Sequence, residues 1–306
     1  MDMTSLINCM GTLFLLLAVG FLCSKVGILS TENKTVLSRI VINVALPAMM
    51  VDAIISTDVD LSGPSTKELL GAIALYYVTL FVLSILFGAV AARKNPDKGV
   101  YQYMVMFSNT GFLGIPLITA MFGQEALFHV ALFNIPFNIL AFTYGMLLIR
   151  GKGEGKGFSW KRMLTPPTVS SILSLLLLLC GVKLPVFVAN AVDYIGGMTV
   201  PGAMVVVGAS LATIPGGAVW KEWRIYAMAV FTLLIRPVII AGLLGLFVAD
   251  PLVKGVTVIL AAVPVGANTT SLCIEYNANE TLASCGLFVT TMLSMLTIPL
   301  VAMILL

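Results

Sequence analysis

The sequence predicts an all-α integral membrane protein whose ten transmembrane helices form two inverted repeats of five, with broken helices four and nine crossing. Three observations lead there: an apolar composition, cations that alternate from loop to loop, and two helix interruptions that recur at matching places in the two halves. The 306 residues are 59% hydrophobic and only 10% charged. Mean hydropathy is +1.05, well outside the balance of a water-soluble domain. A helix needs roughly 20 apolar residues to cross the hydrocarbon core, so about ten crossings use about two-thirds of the chain and leave only short loops.

The first span is expected near Leu6–Cys23. It lacks a basic leader and a small-residue cleavage site followed by a polar chain, so it reads as a retained helix rather than a signal peptide. The second, Thr35–Ile55, carries Pro47, and the third is Leu69–Ala91. The fourth, Val100–Phe122, is interrupted by the run from Ser108 to Pro116. The fifth, Ala126–Ile149, holds His129, the chain's one histidine, which reads as packing unless a partner makes it a proton switch. The sixth is Thr168–Val182, and the seventh, Val186–Ala212, carries Pro201. The eighth, Ile225–Val248, contains Arg236 beside Pro237. The ninth, Val256–Glu275, is interrupted from Ala262 to Thr270, and the tenth is Leu282–Leu305.

Lys and Arg in short loops mark the cytoplasmic side. Thirteen of the 17 cations fall in or beside the loops after spans one, three, five and seven, whereas the opposite loops hold Lys67, Lys183 and Lys254. Both termini are therefore expected outside the cytoplasm of a multi-pass cell-membrane protein, in the inner membrane if the cell has two. The flexible run Gly151–Gly157 divides the chain, giving repeats at 1–150 and 165–306 with a Gly/Lys linker at 151–164. Five spans per half is an odd number, so the second repeat enters the membrane from the other side. The basic residues flank membrane spans without interleaved aromatics, which argues against nucleic acid as a partner. Cys9, Cys23, Cys180, Cys273 and Cys285 form no CxxC pair and read as packing residues rather than disulfides or metal ligands.

A matched pair of interrupted helices is the best sequence pointer to a transporter's binding site. Proline removes a backbone donor and glycine weakens a helix, so carbonyls and amides near both breaks lose their usual partners. Hydrocarbon cannot replace them, and irregular backbone at membrane depth survives only inside protein or beside a wet cavity. Each half-helix that restarts after a break directs open amides and partial positive charge inward, which suits a carboxylate. The expected substrate-binding positions are Asn109, Thr110, Gly111, Gly114 and Pro116 in span four and Pro264, Gly266, Asn268, Thr269 and Thr270 in span nine. The asparagines and threonines either bind ligand or satisfy neighbouring helices. Pro47 and Pro201 are expected to break helices of a scaffold. Arg236 either snorkels, packs structurally, or pairs with a carboxylate or anion. Asp52 or Glu275 either carries a coupling proton or lies at the interface.

Asn109–Leu117, Ala261–Gly266 with Glu275-Tyr276, Pro47 and Pro299 resemble the auxin efflux carrier family, and the likeness covers nearly all ten spans. The resemblance implies an elevator-like carrier of organic anions in the bile, arsenite and riboflavin transporter-like superfamily. Helices one, two, six and seven would form a dimeric scaffold, and helices three to five and eight to ten the transport domain. It also implies that Asn109 contacts a substrate carboxylate and that Pro116 and Pro264 are the crossover prolines. The chain lacks the long central loop of the plant exporters, and a small carboxylate such as malate, malonate or another dicarboxylate fits the short-loop members of the family at least as well as auxin. Neither HExxH nor paired intramembrane aspartates occur, so an enzyme is not expected, nor are cofactors or metals. The leading expectation is an efflux carrier for a small organic anion. The alternative is a sodium- or proton-coupled symporter of such anions.

Overall fold

The computed structural model describes residues 3–55, 64–123, 126–150, 165–182, 184–213 and 222–306. The 151–164 linker, Lys183 and Lys221 lie outside them. The described residues form helices without a named strand. Seven stretches are long and apolar enough to cross a membrane: Ile7–Lys25, Glu32–Ala53, Ser65–Val90, Ala126–Arg150, Val186–Leu211, Trp223–Phe247 and Glu280–Leu305. Three shorter apolar helices, Thr110–Phe122, Thr168–Leu177 and Pro251–Ala262, fall in the regions read as spans four, six and nine. Leu15, Val90, Leu246 and Leu296 stay mostly exposed. Large apolar surfaces of this kind suit lipid and are rare on soluble monomers.

In chain order the α-helices are α1 (Met3–Lys25), α2 (Thr31–Ile40), α3 (Leu46–Ile55), α4 (Pro64–Val90), α5 (Lys98–Met106) and α6 (Ile115–Phe122). They continue as α7 (Ala126–Leu140), α8 (Met146–Arg150), α9 (Pro166–Leu179), α10 (Val186–Gly197) and α11 (Thr199–Leu211). The last five are α12 (Trp223–Val230), α13 (Arg236–Phe247), α14 (Pro251–Ala262), α15 (Asn268–Glu275) and α16 (Glu280–Leu305). Wide π turns span Val41–Ala45, Thr110–Gly114, Ala141–Gly145 and Phe231–Ile235.

Three of those turns end two residues before a proline: Pro47, Pro116 and Pro237. A proline ring collides with the carbonyl four residues back and supplies no amide to it. Widening the preceding turn shifts its bonds to i→i+5, as in Leu46 N to Val41 O and Arg236 N to Phe231 O. Pro47 is therefore taken up within a continuous rod, its interruption being the π turn rather than a gap. At Pro201 the helix is interrupted instead, at Met198 between α10 and α11.

The ninth region begins earlier than hydropathy suggests, at Pro251 rather than Val256. The reason is capping. Asp250 accepts from the amides of Leu252 and Val253 at 2.8 and 3.3 Å, and Pro251 occupies a helix-starting position.

The residues divide into two units. The first holds the described parts of Met1–Asp60, Gly111–Ile139 and Phe158–Thr213. Within it α1 lies along α11, with Gly20 against the Val205 backbone and Gly208 against the Leu17 carbonyl. Helix α3 packs on α9 and α10, where Gly196 meets the Met49 backbone. Small residues permit such backbone contacts where helix association gains little from hydrophobicity.

The second unit holds the described parts of Leu61–Thr110, Leu140–Gly157 and Ile214–Leu306. There α4 and α5 are tied by Ser84 Oγ donating to Gln102 O at 2.9 Å and Gln102 Nε2 to Ser84 O at 3.4 Å. Helix α16 packs on α12, α14 and α15, and α13 packs on α14.

Candidate functional site

Both expected breaks are present, and their backbones pair. Helix α5 stops at Met106, after which Phe107 is extended at φ −111°, ψ 100°. Helix α14 stops at Ala262, and Val263 is extended at φ −68°, ψ 150°. Proline disfavours the helical region for the residue before it, so Pro264 dictates the second stop. The two extended segments run antiparallel within the second unit and form a bridge between Ser108 and Val265. Asn109 N donates to Pro264 O at 2.7 Å, and Gly266 N donates to Phe107 O at 3.1 Å.

These bonds leave other groups without their helical partners, and three side chains replace the missing donors and acceptor. An α-helix would satisfy Val105 O with Asn109 N, which is diverted to Pro264. It would satisfy Ala261 O with Val265 N, which instead donates to Thr290 Oγ1 at 3.2 Å. Arg236, only 1% exposed, serves both carbonyls: Nη1 donates to Val105 O and Nε to Ala261 O, each at 2.8 Å. Its Nη2 donates to Val263 O at 3.0 Å. Leu260 O would have faced the nitrogen of Pro264, which has no hydrogen, and Tyr76 supplies its hydroxyl at 3.2 Å.

Of the ten expected ligand positions, Asn109, Thr110, Pro264, Gly266, Asn268, Thr269 and Thr270 belong to this unit. Asn109 is 5% exposed. Gly266 admits no side chain without conflict, since an added Cβ would lie 2.5 Å from Asn268 Oδ1 and 3.3 Å from Ser108 O. Helix α15 starts at Asn268 without a side-chain cap, so no side chain serves the amides of its first turn, of which that of Thr269 turns back to Gly266 O. Thr269 is fully buried, and its hydroxyl and amide both donate to Gly266 O at 2.8 and 3.1 Å. Its side chain is thereby committed to the turn. Thr270 Oγ1 is sealed from solvent and has no hydrogen-bond partner among the described residues.

Gly111, Gly114 and Pro116 belong to the first unit, since the division falls between Thr110 and Gly111. Gly111 lies beside Leu46 and Asn134, and Pro116 O accepts from the Cys9 thiol at 3.5 Å. Asp193 is exposed and Asp52 half-buried. His129 stacks edge-on to Phe128 at 5.9 Å. Sequence reasoning missed the parts of Tyr76 and Thr290, whose residue types give no cue, and the buried pair Asn134 and Asn138 in α7. That pair was detectable as two amides four residues apart in an apolar span.

The sequence pattern of the membrane transport protein family matches residues 6–159 and 155–302. The chain belongs to that family. It corresponds to the auxin efflux carriers that the sequence resembles, so the protein is a membrane transporter and not an enzyme. Relatives of this family include an "Uncharacterized transporter" of Methanothermobacter thermautotrophicus, 28% identical over 96% of each chain. Another, of Methanocaldococcus jannaschii, is 29% identical over 95% of this chain and 96% of its own. A Rhizobium meliloti protein described as "Putative malonate transporter" is 23% identical over 93% of this chain and 91% of its own.

Proposed function

We propose that this transporter is a secondary carrier that exports a small organic anion, a carboxylate, by an elevator-like alternating-access mechanism. The carrying observation is the antiparallel pairing of Phe107–Asn109 with Pro264–Gly266, immediately before the uncapped start of α15. Open amides and the positive end of a helix favour a negative group. The name of the Rhizobium meliloti relative adds a short dicarboxylate to the candidates. Removing a carboxylate from water costs several kcal/mol, against up to about 2 from a helix end and about 1.5 to 3 from each charged hydrogen bond. The modest balance suits a carrier, which must release what it binds.

In this reading ten helices cross the membrane as two inverted repeats, with both termini outside the cytoplasm. Helices three to five and eight to ten are the moving body, and helices one, two, six and seven, with the long α1–α11 contact, are a scaffold that dimerises. A potential of 100 mV, negative inside, supplies about 2.3 kcal/mol per charge, enough for roughly fiftyfold export without a coupling ion.

Counterflow of labelled malonate in proteoliposomes tests the proposal. Exchange that persists when choline replaces sodium, and at matched pH on both sides, supports potential-driven carriage. Strict dependence on sodium or on a proton gradient would select symport instead. No exchange of any carboxylate in a panel, in folded protein, would overturn the anion reading.

A further inference from the structure

The guanidinium of Arg236 sits behind the paired breaks with three of its five N–H groups spent on carbonyls. Carbonyls are neutral, so those bonds orient the side chain and solvate it without cancelling its charge. Among the described residues no carboxylate lies within ion-pair distance of it, the one ion pair there being Arg224 with Glu222. Ionisable groups inside a membrane are costly and ordinarily pair with one another or with backbone carbonyls, and of these only an ionised partner cancels the charge. A fixed positive charge with no acidic partner among the described residues, joined to both segments of the candidate site, points to the transported anion as the group that balances it.

We propose that Arg236 is the charge-setting and positioning residue of the carrier. It holds the two extended segments through Val105, Ala261 and Val263, and its charge offsets one negative charge of the bound substrate. This rests on the anion-carrier reading above. The unit carrying a monovalent anion is then electrically neutral at the site, whereas the empty unit carries +1. A membrane potential therefore acts on the return of the empty unit and not on the loaded crossing. Negative inside, 100 mV biases the empty unit toward the cytoplasm by up to about fiftyfold if the charge crosses the whole field. Export of a monoanion is driven by resetting the carrier rather than by pushing the anion.

The test compares monomethyl malonate, a monoanion, with malonate, a dianion at neutral pH, in proteoliposomes with potentials set by potassium and valinomycin. In unaltered protein, exchange of monomethyl malonate should run at one rate at 0 and 100 mV, while exchange of malonate and net export of either should respond to potential. Exchange of the monoanion that responds several-fold would overturn the proposal without any variant. Arg236→Lys keeps the charge but cannot span three carbonyls. It should lower the rate and leave monoanion exchange insensitive to potential. Arg236→Gln, with folding checked by size exclusion and melting, should make monoanion exchange potential-dependent and weaken binding of both probes about tenfold or more. Folded Arg236→Gln protein with unchanged affinity and potential-insensitive monoanion exchange would show Arg236 to be a staple only. Unaltered protein that moves neither probe would overturn the anion reading itself, and this inference with it.

Discussion

The hydroxyl of Tyr76 donates to the carbonyl of Leu260 at 3.2 Å, the carbonyl that Pro264 cannot serve. Both residues are fully buried, so no water replaces the bond. Tyr76→Phe should lower stability by about 1 to 3 kcal/mol, the cost of an unsatisfied buried acceptor, read as a drop in melting temperature in detergent. Pro264→Ala restores an amide at the position that lacks one, and in that background Tyr76→Phe should cost less. An equal cost in both backgrounds would show that Tyr76 serves some other group.

Gly266 stands where the backbones of the two breaks approach each other. A Cβ there would meet Ser108 O at 3.3 Å and Phe107 O at 3.4 Å as well as Asn268 Oδ1 at 2.5 Å. The first two contacts are backbone and cannot swing away. Gly266→Ala should therefore strain the Phe107–Gly266 bond and reduce substrate affinity, whereas Gly245→Ala, with nothing within 4 Å, should leave both melting and binding unchanged. Wild-type affinity in Gly266→Ala would refute the close approach.

Much of this arrangement was legible in the sequence, because proline and glycine act locally. The stop before Pro264 follows from the residue it restricts, and the run around Asn109 and Gly111 carries enough helix-weakening residues to locate the other stop. The pairing of the two stops followed from a constraint on unsatisfied backbone in hydrocarbon. Which groups complete the accounting was not legible. Tyr76, Arg236 and Thr290 lie on three other helices, and only tertiary packing brings them to Leu260, Ala261 and Val265. The form of the interruption at Pro47 was also hidden. A π turn and an open gap use the same proline, and the choice between them depends on what the freed carbonyls can reach. Thr269 looked like a ligand because its hydroxyl sits in the break, but its own turn claims it.

Helices α1 and α11 approach closely through glycines on both sides. Gly20 faces the Val205 carbonyl, and Gly208 faces the Leu17 carbonyl. Gly20→Ala or Gly208→Ala should force the backbones apart and cost about 1 to 3 kcal/mol of stability. Gly11 lies in the same helix with nothing within 4 Å of its added Cβ. Gly11→Ala should be neutral or stabilising by up to about 1 kcal/mol, since alanine favours the helix. Melting curves of the three variants separate contact from propensity. Equal shifts in all three would mean that α1 does not press on α11 in the folded protein.

Asn109 contributes to the break in two separable ways. Its backbone amide closes the bond to Pro264 O at 2.7 Å, and its buried side chain is the group proposed to meet the substrate. Truncation to alanine keeps the amide, so Asn109→Ala should preserve the paired backbones and the size-exclusion profile. If the side-chain amide donates to the substrate carboxylate, its loss removes a charged hydrogen bond of about 1.5 to 3 kcal/mol, or roughly 10- to 150-fold in affinity. Asn109→Pro removes the amide instead and should lower the melting temperature before any ligand is added. Malonate-dependent melting shifts, measured on both variants beside the unaltered protein, distinguish the two roles. Undiminished stabilisation of Asn109→Ala by malonate would take the side chain out of the site and leave only its backbone there.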